Sequence, residues 1–188
     1  MNYVFIGGIP ASGKSYLANK IAKVTGALHV NLDDLREKML KDPNLEPWVN
    51  YFWNLDEEKY YNTATCEEQW QNLVNQSEAF WPTTLKKVED YKKKGQPAIF
   101  EGVNILPHLV AKDPDFSGVF LLGSSVEEIF ERNTRAPRWG NTEELQRIEA
   151  EAFFNCERPN YQREAEKYGY KTFTDNTEAE KELLSLLL

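Results

Sequence analysis

Residues 8–15 carry the strongest chemical pattern of the sequence, Gly-Ile-Pro-Ala-Ser-Gly-Lys-Ser. The segment matches the phosphate-binding loop G-x-x-x-x-G-K-S at every fixed position. Gly8 and Gly13 permit backbone angles that turn successive N–H groups toward phosphate oxygens, and a following helix would direct its positive end at them. In this pattern Lys14 reaches the β and γ phosphates, and the Ser15 hydroxyl ligates Mg²⁺. The loop therefore predicts a site for ATP and Mg²⁺. The predicted nucleotide-binding residues in and just after the loop are Gly8, Ile9, Pro10, Ala11, Ser12, Gly13, Lys14, Ser15 and Tyr16.

A carboxylate and a guanidinium follow the second predicted strand, in the segment Asn-Leu-Asp-Asp-Leu-Arg at 31–36. In phosphoryl transfer, a carboxylate facing the γ phosphate can accept or orient the proton of the acceptor hydroxyl. An arginine three residues later lies on the same helical face and can hold an anionic acceptor group. We therefore predict that Asp33 is the base or orienting residue and that Arg36 binds the acceptor. A competing interpretation makes Asp33 a helix cap and leaves Arg36 in solvent.

The third predicted strand ends in Glu101, which Gly102 and, two positions later, Asn104 follow. Glu101 is a candidate for holding a magnesium-bound water or for contacting the acceptor, and these alternatives stay open. A glycine at a strand end lets a substrate or another backbone approach closely, so Gly102 is a candidate for the same site. Asn104 is a further candidate acceptor contact. The competing interpretation is that Glu101 is an ordinary surface residue.

Three arginines follow the fourth predicted strand in the segment 132–141, at the end of a predicted helix and before a Pro/Gly break. A planar guanidinium pairs with phosphate and stacks on bases, so this segment is a candidate lid over ATP. Arg132 would lie against the base, and Arg135 or Arg138 would neutralise charge on the transferring group. Basic residues also favour helix C-termini for electrostatic reasons alone. Asp175 and Asn176, after the last predicted strand, would line the adenine pocket or else cap a helix.

Short apolar runs alternate with longer helix-like stretches, which predicts an α/β fold with a parallel sheet flanked by helices. The five predicted strands are Tyr3–Gly7, Leu28–Asn31, Ala98–Glu101, Val119–Leu122 and Tyr170–Phe173. A first helix is predicted at Lys14–Thr25 and a last one at Thr177–Leu188. With the phosphate loop, this order predicts the P-loop nucleoside-triphosphate hydrolase fold as a single domain over residues 1–188.

The connection between the second and third predicted strands is unusually long, so residues 41–96 are predicted to form a helical insertion on the acceptor side. Trp70, Leu73 and Trp81 fall at helical spacing and are expected to pack in the core. Pro82 is expected to divide this region into two helices.

Composition limits the classes of function. A chain of 188 residues with 41% hydrophobic residues suits one globular domain, and its formal charge of −8 argues against a broad nucleic-acid surface. No apolar run approaches the roughly 18 residues of a membrane span. Cys66 and Cys156 fit no metal-ligand spacing and are expected to be reduced thiols. We therefore expect a soluble, cytoplasmic protein.

The phosphate loop, Asp-Asp-Leu-Arg at 33–36, the aromatic insertion and Phe-Glu-Gly-Val-Asn-Ile-Leu-Pro at 100–107 together resemble 2-phosphoglycerate kinase and its uncharacterised relatives. The resemblance extends over about two-thirds of the chain, to Pro107, and its distinctive part is the stretch 100–107. It implies an ATP-dependent kinase that uses Mg²⁺ and a small-molecule hydroxyl acceptor.

A second likeness involves residues 31–36 and 132–135, which are similar to the 5′-hydroxyl polynucleotide kinases. There the matching aspartate is the base and the matching arginine holds the acceptor's phosphate, so both resemblances imply the same roles for Asp33 and Arg36. The acceptor thus stays open between a small anionic metabolite and a nucleic-acid or nucleotide hydroxyl. A non-catalytic ATP-binding regulatory module is the third possibility.

Overall fold

The computed structural model describes residues 3–113 and 115–187. Within these residues, five strands form one sheet in the order β2-β3-β1-β4-β5, and every neighbouring pair is parallel. The strands are β1 Tyr3–Gly7, β2 Leu28–Asn31, β3 Ala98–Glu101, β4 Ser117–Leu121 and β5 Thr172–Phe173. The predicted α/β class and five-stranded parallel sheet are confirmed.

The fifth strand begins later than the predicted Tyr170. Helix α9, Arg158–Tyr168, is capped by Gly169 in the left-handed conformation, and the Tyr170 N–H then donates 2.9 Å to the Ala165 carbonyl. That hydrogen bond belongs to the helix end, so Tyr170 is not free to pair with β4.

Helices and helical turns connect and flank the strands. The α-helices of the described residues are α1 Lys14–Thr25, α2 Arg36–Met39, α3 Glu46–Val49, α4 Glu57–Thr63, α5 Cys66–Lys94, α6 Pro107–Val110, α7 Val126–Arg135, α8 Glu143–Ala152, α9 Arg158–Tyr168 and α10 Asn176–Leu187. A 3₁₀ turn spans Leu32–Leu35, and a π-helical turn spans Phe153–Glu157. The predicted end of the last helix at Leu188 lies outside the described residues.

The two faces of the sheet have separate hydrophobic cores. Val4 and Ile6 of β1 pack in the core that contains residues of α1 and α10, whereas Phe5 points to the opposite face. On the Phe5 face, α5 contributes Trp70, Trp81 and other buried residues. This confirms the predicted packing role of the tryptophan-bearing face of that helix.

Helix α5 is continuous, so the predicted division at Pro82 is wrong. A proline in a helix interior costs about 3 kcal/mol because it removes one hydrogen bond and crowds the preceding turn. Phe80 and Trp81 before it and Val88 after it are buried against the Phe5 face. Each such side chain contributes about 1.5–3 kcal/mol on burial, which together outweighs the proline penalty.

Cys66 and Cys156 form a disulfide, so the expectation of two reduced thiols is wrong. The bond joins residues 90 positions apart, with their Cα atoms at 4.7 Å. Cys66 is the first residue of α5, and Cys156 lies in the π-helical turn. The bond therefore fixes the insertion to the α8–α9 segment, a juxtaposition that no local spacing in the sequence predicts.

None of the helices in residues 3–113 and 115–187 combines the length and apolar character needed to cross a membrane.

Candidate active site

The phosphate loop joins the end of β1, the central strand, to the start of α1. Gly8 has a φ of +118°, and a Cβ there would overlap the backbone of Leu121 in β4. Gly13 caps α1 in the left-handed conformation at φ +99°. Both glycines therefore occupy positions that a side chain would disturb, as a loop folded around phosphate oxygens requires.

Lys14 is 5% exposed, and its Nζ donates 2.6 Å to the Ile9 carbonyl. Burial lowers the pKa of Lys14 to about 8, and the Glu101 and Asp33 carboxylates partly oppose that shift. At neutral pH the ammonium is still mostly charged, but it is held in a site that penalises the charge. A polyphosphate chain would supply the compensating negative charge.

Beside the loop lies a cavity of about 480 Å³, here called the loop cavity. Its lining residues come from the loop and the start of α1, the turn after β2, the end of β3 and the residues after it, the end of α7 with the α7–α8 connection, and the start of α10. They are Ala11, Gly13, Lys14, Ser15, Tyr16, Asp33, Glu101, Gly102, Val103, Arg132, Ala136, Arg138 and Asn176.

Sheet register brings these segments together. Glu101 of β3 aligns with Ile6 of β1 on one side and with Asn31 of β2 on the other. The carboxyl ends of parallel strands meet at one edge, so the loop, the 31–36 segment and Glu101 converge there.

Asp33 does not cap the helical turn that follows β2. The Asn31 side chain takes that role, since its Oδ1 accepts a 2.8 Å hydrogen bond from the Asp33 N–H. The Asp33 carboxylate instead lies between two guanidinium groups, with Oδ1 at 3.9 Å from Arg36 Nη2 and Oδ2 at 3.6 Å from Arg138 Nη2. The alternative interpretation of Asp33 as a cap with a solvated Arg36 is therefore wrong. The structure places Asp33 in the loop cavity with Lys14.

Glu101 is 3% exposed, so it is not an ordinary surface residue. Its Oε1 lies 3.3 Å from His29 Nε2, and it shares the loop cavity with Lys14 and Ser15. Hydroxyl and carboxylate oxygens are the ligands that Mg²⁺ prefers, often through retained waters. Ser15 and Glu101 thus fit a hydrated magnesium ion next to the phosphate loop.

The three lid arginines occupy different environments. Arg138 lies beside Asp33 and lines the loop cavity. The Arg135 side chain is 77% exposed, lies 3.5 Å from Glu131 and is absent from that lining. Arg132 donates 2.7 Å from Nη1 to the Ser12 carbonyl and pairs at 2.7 Å with Glu128. Of the two candidates for the transferring group, the geometry favours Arg138.

The remaining predicted residues divide between the cavity and structural positions. Asn176 lines the loop cavity, and its buried Oδ1 has no hydrogen-bond partner. Asp175 accepts from the Thr177 and Glu178 N–H groups, which is the capping alternative. Asn104 donates to Gln76 at 3.1 Å and to Ser77 at 2.9 Å and lines neither the loop cavity nor the one described next. Its contact with an acceptor stays a prediction.

A second cavity, of about 80 Å³, adjoins the first and is here called the aromatic cavity. Val103 and Arg138 line both cavities, so the two are neighbours. Its lining is Pro10, Arg36, Phe52, Trp53, Tyr61, Leu73, Gln76, Val103, Arg138, Trp139, Phe153 and Glu157. Arg36, which we predicted to bind the acceptor, is one of these lining residues. The cavity therefore extends the site from Pro10 of the phosphate loop toward the insertion and the π-helical turn.

Glu157 is a site residue that the sequence interpretation missed. It belongs to the π-helical turn, a local geometry that is frequent at functional sites, and it lines the aromatic cavity. Burial raises its pKa to about 7, against the opposing effects of Arg138 and Lys14. No pattern in the sequence marks Glu157 as a site residue, because it lies 19 residues beyond Arg138. Only the fold brings the π-helical turn to the aromatic cavity.

Trp139 connects the lid to the insertion. Its ring lies 5.1 Å from Phe52, 6.0 Å from Trp53 and 6.1 Å from Tyr61, between ring centroids. The neighbouring Arg138 is consequently anchored on the acceptor side of the site, between Asp33 and the insertion.

Comparisons with known proteins bear on the fold. No protein-family model matches the chain, and no curated protein matches it either. Among solved structures, it is similar to shikimate kinase from Acinetobacter baumannii in complex with shikimate, with a TM-score of 0.55, 10% identity and coverage of 100% of this chain and 93% of that one. It is also similar to an uncharacterized protein from Eubacterium ventriosum ATCC 27560, with a TM-score of 0.52, 12% identity and coverage of 100% and 98%.

A third similar structure is deoxyadenosine kinase from M. mycoides with bound dATP, with a TM-score of 0.50, 15% identity and coverage of 100% and 99%. With the parallel sheet and the loop at the end of β1, these similarities define the fold as that of the P-loop kinases. At such identities the likeness extends to the fold alone. The resemblances to 2-phosphoglycerate kinase and to polynucleotide kinases stay predictions.

Proposed function

We propose that this protein is an ATP-dependent kinase that transfers the γ-phosphoryl group to a hydroxyl of a small anionic metabolite. One observation carries the proposal: Asp33 lies between Arg36 and Arg138 in the cavity that also holds Lys14. A carboxylate between two guanidinium groups and facing a phosphate loop combines a proton acceptor with two anion-binding groups. Phosphorylation of an anionic hydroxyl compound can use each of these groups.

The residues divide the reaction between them. Lys14 and the loop N–H groups hold the β and γ phosphates, and Ser15 with Glu101 would hold Mg²⁺, which neutralises charge on the phosphate oxygens. The acceptor oxygen forms a bond to the γ phosphorus while the bond to the β–γ bridging oxygen breaks. Asp33 accepts the hydroxyl proton, Arg36 holds the acceptor's anionic group, and Arg138 stabilises charge on the transferring group. The products are ADP and a phosphate ester.

A small acceptor fits better than a nucleic-acid end. Backbone recognition of nucleic acids requires several basic groups in line, whereas the chain carries a net charge of −8. The aromatic cavity next to Asp33 measures about 80 Å³, which suits a compact group. Acids similar to 2-phosphoglycerate are therefore the first acceptors to test.

The test is competition between acceptor classes with labelled ATP and Mg²⁺. We expect transfer to 2-phosphoglycerate or a related hydroxy acid and none to 5′-hydroxyl oligonucleotides. Efficient, salt-sensitive labelling of the oligonucleotides with no labelled acid would instead support the nucleic-acid kinase. ATP binding without a phosphorylated product across a broad panel would support a regulatory module.

A further inference from the structure

Two residues that line the aromatic cavity each carry a polar atom that is shielded from solvent and has no hydrogen-bond partner. The atoms are Nε of Arg36, a donor, and Oε2 of Glu157, an acceptor. A buried polar group without a partner costs about 1–3 kcal/mol, and more when it is charged. Native structures rarely retain such groups without a reason, and a ligand is one reason. The cavity thus brings together a guanidinium group and a carboxylate whose hydrogen-bonding capacity the protein does not fully use.

The wall around these atoms is mostly aromatic. Five rings line the cavity, those of Phe52, Trp53, Tyr61, Trp139 and Phe153. Aromatic faces attract ammonium groups, by about 2 kcal/mol or more where water is excluded. An aromatic wall beside a carboxylate is a suitable environment for a cation.

We propose that the aromatic cavity selects an acceptor that carries an ammonium group beside its anionic group, with the ammonium at Glu157 and the anionic group at Arg36. The inference rests on the proposed function and narrows its substrate class to compact, hydroxyl-bearing amino acids or amino phosphates. The reacting hydroxyl of such a molecule would point to Asp33, on the side where Arg36 and Arg138 flank that carboxylate.

Charge and size agree with this class. An ammonium group favours the ionised form of Glu157, whereas a neutral hydroxyl would leave that carboxyl group at the raised pKa that burial gives it. A cavity of about 80 Å³ holds roughly five to eight water-sized positions. That space accommodates a head group of a few heavy atoms.

The experiment compares acceptors that differ only in the amino group. Serine is matched with 3-hydroxypropionate, and homoserine with 4-hydroxybutyrate. Binding is measured by calorimetry in the presence of a non-hydrolysable ATP analogue, and transfer is measured separately with labelled ATP. We expect the amino member of at least one pair to bind about tenfold tighter or more.

Substitutions assign that preference to one side chain. Glu157→Gln keeps the shape of the residue but removes its charge, and it should abolish the preference. Glu151→Gln, at an exposed position of α8 outside the cavity lining, is the matched control and should retain it. Unchanged binding of the ATP analogue verifies the fold of both variants. If Glu157→Gln does not fold, the ratio of the wild-type affinities for the two members of each pair tests the inference by itself.

Three results would overturn the inference: equal affinity within every pair, no binding of either amino acid, or a preference that persists in Glu157→Gln. Phosphorylation of hydroxy acids without any amino preference would reject the inference and leave the proposed function standing. A binding preference without product formation from any acceptor would support the inference and reject the kinase activity.

Discussion

The phosphate side and the acceptor side of this site are built in different ways. The proposed phosphate side is one continuous segment, residues 8–15, whose own backbone would form the binding surface. The acceptor side is assembled from the 31–36 segment, the insertion, the lid and the π-helical turn. A continuous loop keeps its chemistry wherever this strand–loop–helix unit occurs. An assembled pocket depends on how several distant segments pack, so a change in any of them can alter the proposed acceptor side.

The largest expected effect is on the phosphate side, from Lys14→Ala. The substitution removes the buried ammonium that would meet the transferring oxygens, and transfer should be lost almost wholly, by about 3–4 kcal/mol or more. Burial lowers the pKa of Lys14, which means that the charge of this lysine does not stabilise the folded state. We therefore expect the Lys14→Ala protein to remain folded. Initial rates with labelled ATP and thermal unfolding test this, with exposed Lys23→Ala as the control. Wild-type turnover in a folded Lys14→Ala protein would remove the basis of the proposal.

Asp33→Asn should act on the acceptor side alone. We expect turnover to fall by about 10²–10⁴-fold while ATP affinity stays near normal, because the carboxylate acts on the acceptor hydroxyl. The exposed neighbour Asp34→Asn is a matched control and should leave both quantities unchanged. If Asp33→Asn weakens ATP binding and preserves turnover at saturation, Asp33 serves Mg²⁺ or structure instead.

Reduction of the Cys66–Cys156 bond should affect the acceptor side more than the phosphate side. A disulfide closing a 90-residue loop typically stabilises a protein by about 2–4 kcal/mol, so a dithiol should lower the free energy of unfolding by that amount. Because the bond holds α5 to the turn that carries Glu157, the KM for the acceptor should rise more than the KM for ATP. The Cys66→Ser/Cys156→Ser double variant should show the reduced values with or without dithiol. Equal changes in both KM values would contradict this reading.

The lid arginines provide a smaller and more local contrast. Arg138→Ala should lower turnover by about tenfold to a hundredfold, since it removes a guanidinium 3.6 Å from the Asp33 carboxylate. Arg135→Ala should change turnover by less than about twofold, because that side chain is exposed and pairs on the helix surface. Steady-state rates of both variants, measured at saturating ATP, decide between them. A larger loss of turnover in Arg135→Ala than in Arg138→Ala would assign the role at the transferring group to Arg135 instead.

The smallest expected effect concerns the pH dependence of the contact between the insertion and α8. Burial and the neighbouring Glu149 carboxylate raise the pKa of Glu57 to about 7 in the folded protein. Between about pH 4.5 and 7, the unfolded chain therefore loses this proton first, and the folded state loses stability as pH rises. Urea midpoints at pH 5 and pH 8 should differ less in Glu57→Gln than in the wild type. Exposed Glu58→Gln should keep the wild-type difference between the two midpoints. If Glu57→Gln also keeps that difference, Glu57 is not the group responsible for it.

Local patterns were enough for much of the fold. The bounds of β1, β2, β3 and α1 follow from short apolar runs, from the loop glycines and from Gly26 at the end of α1, all of which act within a few residues. Errors arose where tertiary packing outweighed a local rule. Pro82 stays inside α5 because the flanking aromatic side chains are buried, and the two cysteines pair because the fold brings α5 and the π-helical turn together.

The same division applies to the candidate site. The sequence by itself determined the phosphate loop, since eight consecutive residues fix both the backbone geometry and the ammonium that it needs. It also placed Asp33, Arg36 and Glu101 at strand ends, which parallel pairing carries to one edge of the sheet. Only the tertiary structure placed Arg138, and not Arg135, beside Asp33 and brought Glu157 to the aromatic cavity. Those choices depend on how the insertion, lid and π-helical turn pack against one another, and contacts between distant segments leave no periodicity or spacing in the sequence.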